Sequence, residues 1–311
     1  MIKIPLFHRT GDALSLVKQK KFNNEKELQK LVEKNVETIF NCRFVASEFY
    51  TGQVHSGRID TLALSEDKNP VIIEYKAVES SDLINQSLYY LSWIKDHKGD
   101  FHVACTKALG KTEVDWNDVR VICIAPGYKK YDLHAVQVMG ANIELWEYRL
   151  YEDGSFSIEE VLKRSKAEST EGISEKNKKV GAGKKAAETK KTGVYNIEDH
   201  YQKTSDKMRV LLDQLRDYIL DLDESVEEAP KKFYIAYKFT QNFVCIEVRK
   251  DRLLLFLKLN PNEISPLPKA ARDVRDIGHF GTGDFEYTLK SGDQLEEAKQ
   301  YINKSFENIG G

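Results

Sequence analysis

From Lys163 to Lys191 the chain reads KRSKAESTEGISEKNKKVGAGKKAAETKK, with no aromatic residue and only Ile173 and Val180 as large aliphatic side chains. Such a segment cannot bury enough apolar surface to offset the entropy lost on ordering it. Whatever folds must therefore fold on either side of it. The sequence divides into a first domain over residues 1–162, a basic flexible linker over 163–194 and a small C-terminal domain over 195–311. At 311 residues and 41% hydrophobic content, both flanks have material for a core of their own, which excludes a small disulfide-stapled scaffold.

Ten Lys/Arg against four Glu give residues 163–191 a charge of +6, while the whole chain, with 47 basic and 49 acidic residues, carries −2. A globally basic nucleic-acid coat protein is excluded, and any nucleic-acid site must be a local patch. The linker reads as a solvated tether, with a sequence-blind phosphate contact as the sharper alternative. Cys42, Cys105, Cys123 and Cys245 stand far apart, without the spacing of a zinc site. Three of them lie in apolar runs, where a reduced thiol acts as a small hydrophobe. No apolar run approaches the roughly 20 residues that span a bilayer. The N-terminal MIKIPLFHRTGD lacks the apolar core of a signal peptide. The expectation is a cytoplasmic protein with no membrane partner.

Leu28, Leu31, Val32, Val36, Ile39 and Phe40 recur at helical spacing, predicting a helix over 25–40. Strands are expected at 43–50, 58–64 and 71–76, the last two joined by the turn-rich SEDKNP. A helix over 81–97 follows, then strands FHVACT (101–106) and VRVICIA (119–125), a helix around 131–138 and a strand around 142–148. Beyond the linker, a helix over 206–220, three successive strands (FYIAYKFT, FVCIEVR, RLLLFLKL), a strand FEYTL and a helix over 291–309 are expected. The fold class is α/β (α+β): a mixed sheet flanked by helices, plus a second small α/β domain with antiparallel strands.

Within the 58–76 hairpin lie Asp60 and, after thirteen intervening residues, Glu74-Tyr75-Lys76. Folding about SEDKNP places Asp60 opposite Glu74 or Tyr75. Opposed residues have Cβ atoms roughly 5 Å apart, so two carboxylates can share a divalent ion. Glu74 and Lys76 project from one face. Burying two acids and a lysine among Val, Ile and Leu is costly unless the charges are paired or metal-bound. Such oxygen donors suit Mg²⁺ together with water and a substrate phosphate. In that setting the cation stabilises phosphate charge and acidifies water, and the lysine serves the attacking water.

These residues resemble the PD-(D/E)XK nucleases: Asp60 matches the motif aspartate and Glu74-Tyr75-Lys76 its (D/E)XK element. Gln86-Ser-Leu-Tyr-Tyr90 on the next helix is similar to the QxxxY element of the RecB-like and NucS-like branches, with both ends on one helix face. The motif's proline has no counterpart at Ile59. The resemblance covers about residues 20–150 and implies a restriction-endonuclease-like fold. It further implies a metal site of Asp60, Glu74 and the Tyr75 carbonyl holding Mg²⁺ or Mn²⁺, with Lys76, Gln86 and Tyr90 completing the catalytic set. The family often adds a first-helix glutamate, and Glu27, 33 residues before Asp60, has the expected separation. The helical wheel leaves Glu25 and Glu33 open as well, and Glu27 is also placed to cap the helix with Asn24. The whole chain resembles an uncharacterised bacterial family labelled predicted transport proteins.

The implied activity is Mg²⁺-dependent endonucleolytic hydrolysis of phosphodiester bonds in DNA rather than RNA, with a homodimer allowed. The rival is a catalytically inactive nucleic-acid-binding or regulatory protein that keeps the nuclease fold. Other candidates are weaker. His55 and His102 read as structural or exposed. Gly278-His279-Phe280-Gly281-Thr282-Gly283-Asp284 lacks the Lys-Ser/Thr of a phosphate-binding loop. Arg249, Lys250, Arg252 and Lys258 read as a solvated face.

Overall fold

A computed structural model of the protein describes residues 5–53, 55–80, 82–139, 142–161 and 195–311. The chain forms two compact units, Met1–Ser174 and Glu175–Gly311. The expected linker lies outside the described residues.

The first unit begins with a small hairpin, β1 (Phe7–Thr10) and β2 (Ala13–Leu16), then β3 (Gln19–Lys20), none of which has a clear sequence signal. Two helices follow, α1 (Glu25–Lys34) and α2 (Val36–Phe40), where one was expected. Asn35 divides them: its side-chain amide donates to the Leu31 carbonyl, competing with the continuing helix.

The main sheet contains β4 (Cys42–Tyr50), β5 (Arg58–Ser65), β6 (Pro70–Tyr75), β7 (Arg120–Ala125), β8 (Ile143–Tyr151) and β9 (Phe156–Glu160). Its order is β3-β8-β7-β6-β5-β4, with β9 also on β8. β4, β5 and β6 are antiparallel neighbours, whereas β6, β7 and β8 run parallel. Parallel neighbours need a crossover, supplied between β6 and β7 by α3 (Asp82–Asp96) and α4 (Lys98–Leu109), and between β7 and β8 by α5 (Lys130–Met139).

Both sheet faces are apolar, as expected where helices cover each side. Val71, Ile73 and Tyr75 join Leu28, Val32 and Phe40 on the α1–α2 face. Ile72 joins Ile59, Leu62 and Leu64 against Leu83, Leu91 and Ile94 on the α3 face. All six residues of β6 are buried, so the chain inserts Glu74 into an otherwise apolar strand.

FHVACT, expected as a strand, lies inside α4. Only Phe101 and Cys105 of that helix are buried, four residues apart, and Val103 is 69% exposed. A helical period thus prevails over the β-type composition of the run. All four cysteines are buried.

The second unit holds α6 (Ile197–Tyr201), α7 (Asp206–Leu220), β10 (Glu227–Pro230), β11 (Ile235–Lys238), β12 (Asn242–Val248), β13 (Leu253–Leu257), β14 (Ala271–Asp273), β15 (Phe285–Leu289) and α8 (Leu295–Asn308). Its six strands form an antiparallel sheet in the order β10-β11-β12-β13-β15-β14. α7 and α8 cover one face through Leu212, Leu215, Ile219 and Ile302. The fold is therefore mixed α and β, a helix-flanked mixed sheet with a second, antiparallel sheet.

Candidate functional site

β5 and β6 pair Thr61 with Ile73 and Leu62 with Ile72, so the next step of the register sets Asp60 opposite Glu74. At that step side chains replace the backbone ladder. The Asp60 amide donates to Glu74 Oε1 at 3.0 Å, and the Tyr75 amide donates to Asp60 Oδ2 at 3.1 Å. Each carboxylate thus holds the other strand's main chain, and the two acids converge where the hairpin pairing ends.

Glu74 is fully buried, and its second oxygen, Oε2, is buried without a hydrogen-bond partner among the described residues. Burial and the neighbouring Asp60 charge push the Glu74 carboxyl well above its ordinary value. Burial likewise raises Asp60 from 3.8 to about 6, against the lowering effect of the Tyr75 amide. Desolvated like charges disfavour ionisation in this way.

Lys76 and α1 supply the remaining charge. Lys76 Nζ lies 3.3 Å from Glu25 Oε1, and the Ala77 amide donates to Glu25 Oε2 at 3.3 Å. Glu25 is therefore the first-helix glutamate brought to the site. Glu27, the one favoured from its separation, turns away: its Oε2 accepts from the Asn23 amide and side chain at 2.9 Å each. Its own amide donates to Asn24 Oδ1, so it serves the helix N-terminus. Glu33 accepts from the Thr61 hydroxyl at 2.7 Å, and that hydroxyl lies 3.1 Å from the Tyr75 hydroxyl. The Tyr75 side chain thus packs among the core residues facing α1, and only its main chain borders the acids.

Gln86 and Tyr90 meet at one point, Gln86 Nε2 donating to the Tyr90 hydroxyl at 3.2 Å. That hydroxyl also accepts from the Arg58 amide at 3.1 Å. Their described bonds thus reach β5 two residues before Asp60 rather than Asp60, Glu74 or Lys76 themselves. Gly57 permits the approach, because a Cβ there would lie 2.8 Å from Tyr90 Cε1.

Two further residues border Asp60. Buried Gln29 donates to the Asp60 carbonyl at 2.8 Å and to Glu33 at 3.0 Å. Glu25, Gln29 and Glu33 lie at i, i+4 and i+8 on one face of α1, a spacing that could have singled out this row. Glu48, at φ 52, lies across from Asp60, since Ser47 pairs with Thr61 and Phe49 with Ile59. Lys26, at 2.6 Å, and Arg58, at 3.4 Å, hold its carboxylate. The Lys26 contact leads the lowering of its pKa. No backbone or composition signal marks this position in the sequence.

Among the described residues no group of three His, Cys, Asp or Glu side chains could hold a metal ion alone. The donors present are a carboxylate pair plus main chain. The partnerless Glu74 oxygen beside the raised Asp60 carboxyl fits a hard divalent cation that takes one or two carboxylates and completes its shell with water.

His102 lies on α4, and His55 in the loop between β4 and β5. In the second unit His279 stacks on Phe256 with centroids 4.4 Å apart. Arg249 pairs with Glu247, Arg252 with Asp251, and Lys258 donates to Gln241. No described helix is long and apolar enough to cross a membrane.

Residues 197–309 match the family model described as a domain of unknown function, DUF5655. The chain is 29% identical over 308 residues to an uncharacterised protein of Haemophilus influenzae, covering 97% of this chain and 99% of that one. Among solved structures, an EndoMS–dsDNA2 complex is similar over 43% of this chain and 51% of its own, at 18% identity and a TM-score of 0.30. A repair endonuclease from Pyrococcus abyssi is similar over 40% and 48%, at 17% identity and a TM-score of 0.23. The chain spans about half the length of these two proteins.

Proposed function

We propose that the first unit is a divalent-cation-dependent endonuclease of the PD-(D/E)XK type that hydrolyses phosphodiester bonds in DNA. The reading is carried by one observation: Glu74 is fully buried with an oxygen that has no partner among the described residues, in register with Asp60 and two residues before Lys76. Asp60, Glu74 and the Tyr75 carbonyl would hold Mg²⁺ or Mn²⁺. When bound, that cation supplies charge neutralisation at the scissile phosphate and acidifies water.

The chain's own residues do the rest. The Lys76 ammonium, paired with Glu25, would orient the attacking water by donating a hydrogen bond to it and offset the charge developing there, the water's proton leaving to solvent. Gln29 holds the Asp60 main chain, and the Gln86–Tyr90 pair holds β5 at Arg58, so the carboxylates stay in place without direct help from the QxxxY helix. Residues 163–194 serve as a basic tether to the second unit, 195–311, which contributes substrate or partner recognition.

The test is cleavage of single-stranded, duplex, branched and mismatched DNA with and without Mn²⁺, with Asp60→Ala, Glu74→Ala and Lys76→Ala beside the wild type. The reading expects no cutting by the three variants and Mn²⁺ binding retained by Lys76→Ala alone. The Glu25–Lys76 ion pair favours a second reading, a nucleic-acid-binding protein whose lysine is neutralised and idle. DNA binding without metal uptake or cleavage would establish that reading instead.

A further inference from the structure

The first unit carries a cleft of about 370 Å³ that the proposed chemistry leaves unused. Its size falls in the range of ligand sites, roughly 300–1,000 Å³. Five of its lining residues bear rings: Phe49, Tyr50, His55, Trp93 and His97. Trp93 and His97 stack with centroids 4.5 Å apart and planes 9° apart. His55 meets His97 edge-on at 5.4 Å, and Tyr50 is 54% exposed.

Polar groups accompany the rings. His97 Nδ1 lies 2.8 Å from the Trp93 carbonyl; a carbonyl only accepts, so Nδ1 donates and Nε2 of the neutral ring is an acceptor. Gln53 and Asp100 add an amide and a carboxylate to the lining. Flat apolar walls bearing donors and acceptors match a planar heteroaromatic ring with a polar edge.

The cleft is tied to the acidic site through its own loop. Tyr50 pairs with Arg58 across β4 and β5, two residues from Asp60. Thr51 closes the loop through its amide to the Gly57 carbonyl and through its hydroxyl, which accepts from the Gly57 amide. Adjacent residues of α3 then hold the two regions: the Tyr89 hydroxyl donates to the His55 carbonyl, and the Tyr90 hydroxyl accepts from the Arg58 amide.

We propose that this cleft takes an unpaired nucleobase of the nucleic-acid strand whose backbone lies at Asp60 and Glu74. The inference rests on the nuclease reading for the presence of that strand, and it names single-stranded or locally opened nucleic acid as the substrate class. Tyr50 and His55 act as stacking walls and have no part in the acid–lysine cluster.

The full-length protein in EDTA is titrated by fluorescence anisotropy with a single-stranded oligonucleotide, the same strand carrying abasic sites throughout, and a duplex. The wild type should bind the base-bearing strand about tenfold or more tightly than the abasic one, as stacking energies imply. Tyr50→Ala with His55→Ala should erase that preference and leave duplex affinity unchanged. Equal affinity for intact and abasic strands, no strand binding, or wild-type preference in the double variant would each overturn the proposal, as would equal weakening toward all three probes. Cleavage in Mn²⁺ is scored separately. Cutting without base preference removes the cleft's role and keeps the nuclease reading, whereas base preference without cutting removes the nuclease reading and keeps a base-binding cleft.

Discussion

Asp60→Asn is expected to stabilise the metal-free protein at neutral pH, and the structure sets the size of the effect. The Asp60 carboxyl titrates near 3.8 in the unfolded chain and at about 6 in the fold. A group whose folded pKa is raised favours the folded state while protonated, below about pH 4, and loses that contribution as the pH rises through about 6. At 1.36 kcal/mol per pH unit, ionised Asp60 then costs roughly 2–3 kcal/mol at pH 8, and under about 1 kcal/mol at pH 4. Asn removes the charge and keeps an oxygen for the Tyr75 amide, which now donates to Asp60 Oδ2.

The three tryptophans, Trp93, Trp116 and Trp146, all lie in the first unit, so their fluorescence reports its unfolding alone. Urea titrations in EDTA should show Asp60→Asn more stable than wild type by about 2–3 kcal/mol at pH 8, with the gap closing toward pH 4. Adding Mn²⁺ at about 100 times its Kd should stabilise the wild type by about 2.7 kcal/mol and leave the variant unmoved. A variant less stable than wild type at pH 8, or a gain of equal size at both pH values, would refute the reasoning and make Asp60 a structural partner instead.

Glu27→Ala should cost roughly 0.5–1.5 kcal/mol of stability through the lost Asn23 contacts, the Asn24 cap on its backbone amide remaining, and retain cleavage, whereas Glu25→Gln should leave the fold intact and slow single-turnover cleavage by freeing Lys76; equal rates in the two variants would refute the assignment, and slowing by Glu27→Ala alone would reverse it. Gly57→Ala should destabilise the first unit by about 1–3 kcal/mol through overpacking, since its new Cβ would lie 2.8 Å from Tyr90 Cε1 and 3.1 Å from Thr51 Oγ1. Thermal unfolding followed by tryptophan fluorescence measures that loss. Deleting most of 163–191 should leave both units folded, and a flatter salt dependence of DNA binding would show that the +6 segment contacts phosphate.

Most of the sheet was legible because its strands are bounded by strong punctuation. SEDKNP fixes the β5–β6 turn, and the observed pairing of Thr61 with Ile73 follows from folding about it. Elements whose burial is weak were not legible. β1 and β2 are exposed at all eight positions, so no buried face imposes an alternation to read. FHVACT failed for the opposite reason. Its β-type residues belong to a crossover helix in which spacing, not composition, decides what is buried.

The acids and lysine were legible because charge inside a buried strand conflicts with the apolar pattern around it, and that conflict is local in sequence. The glutamate that joins them was not, because the choice depends on how α1 is rotated against the sheet. Leu28 and Val32 bury one stripe, and Glu25 and Glu27 stand on either side of its start. The preference is set by the cap: Asn23 and Asn24 both engage Glu27, and a carboxylate already accepting there is held away from Lys76. Glu25, with no such partner at the helix start, is left to reach Lys76 and the Ala77 amide. Replacing both Asn23 and Asn24 by Ala should therefore loosen Glu27 from the cap without moving Glu25, and cleavage should survive a loss of helix stability. If cleavage instead depended on those asparagines as strongly as on Asp60, Glu27 would belong to the reacting groups and the cap would be its positioning device.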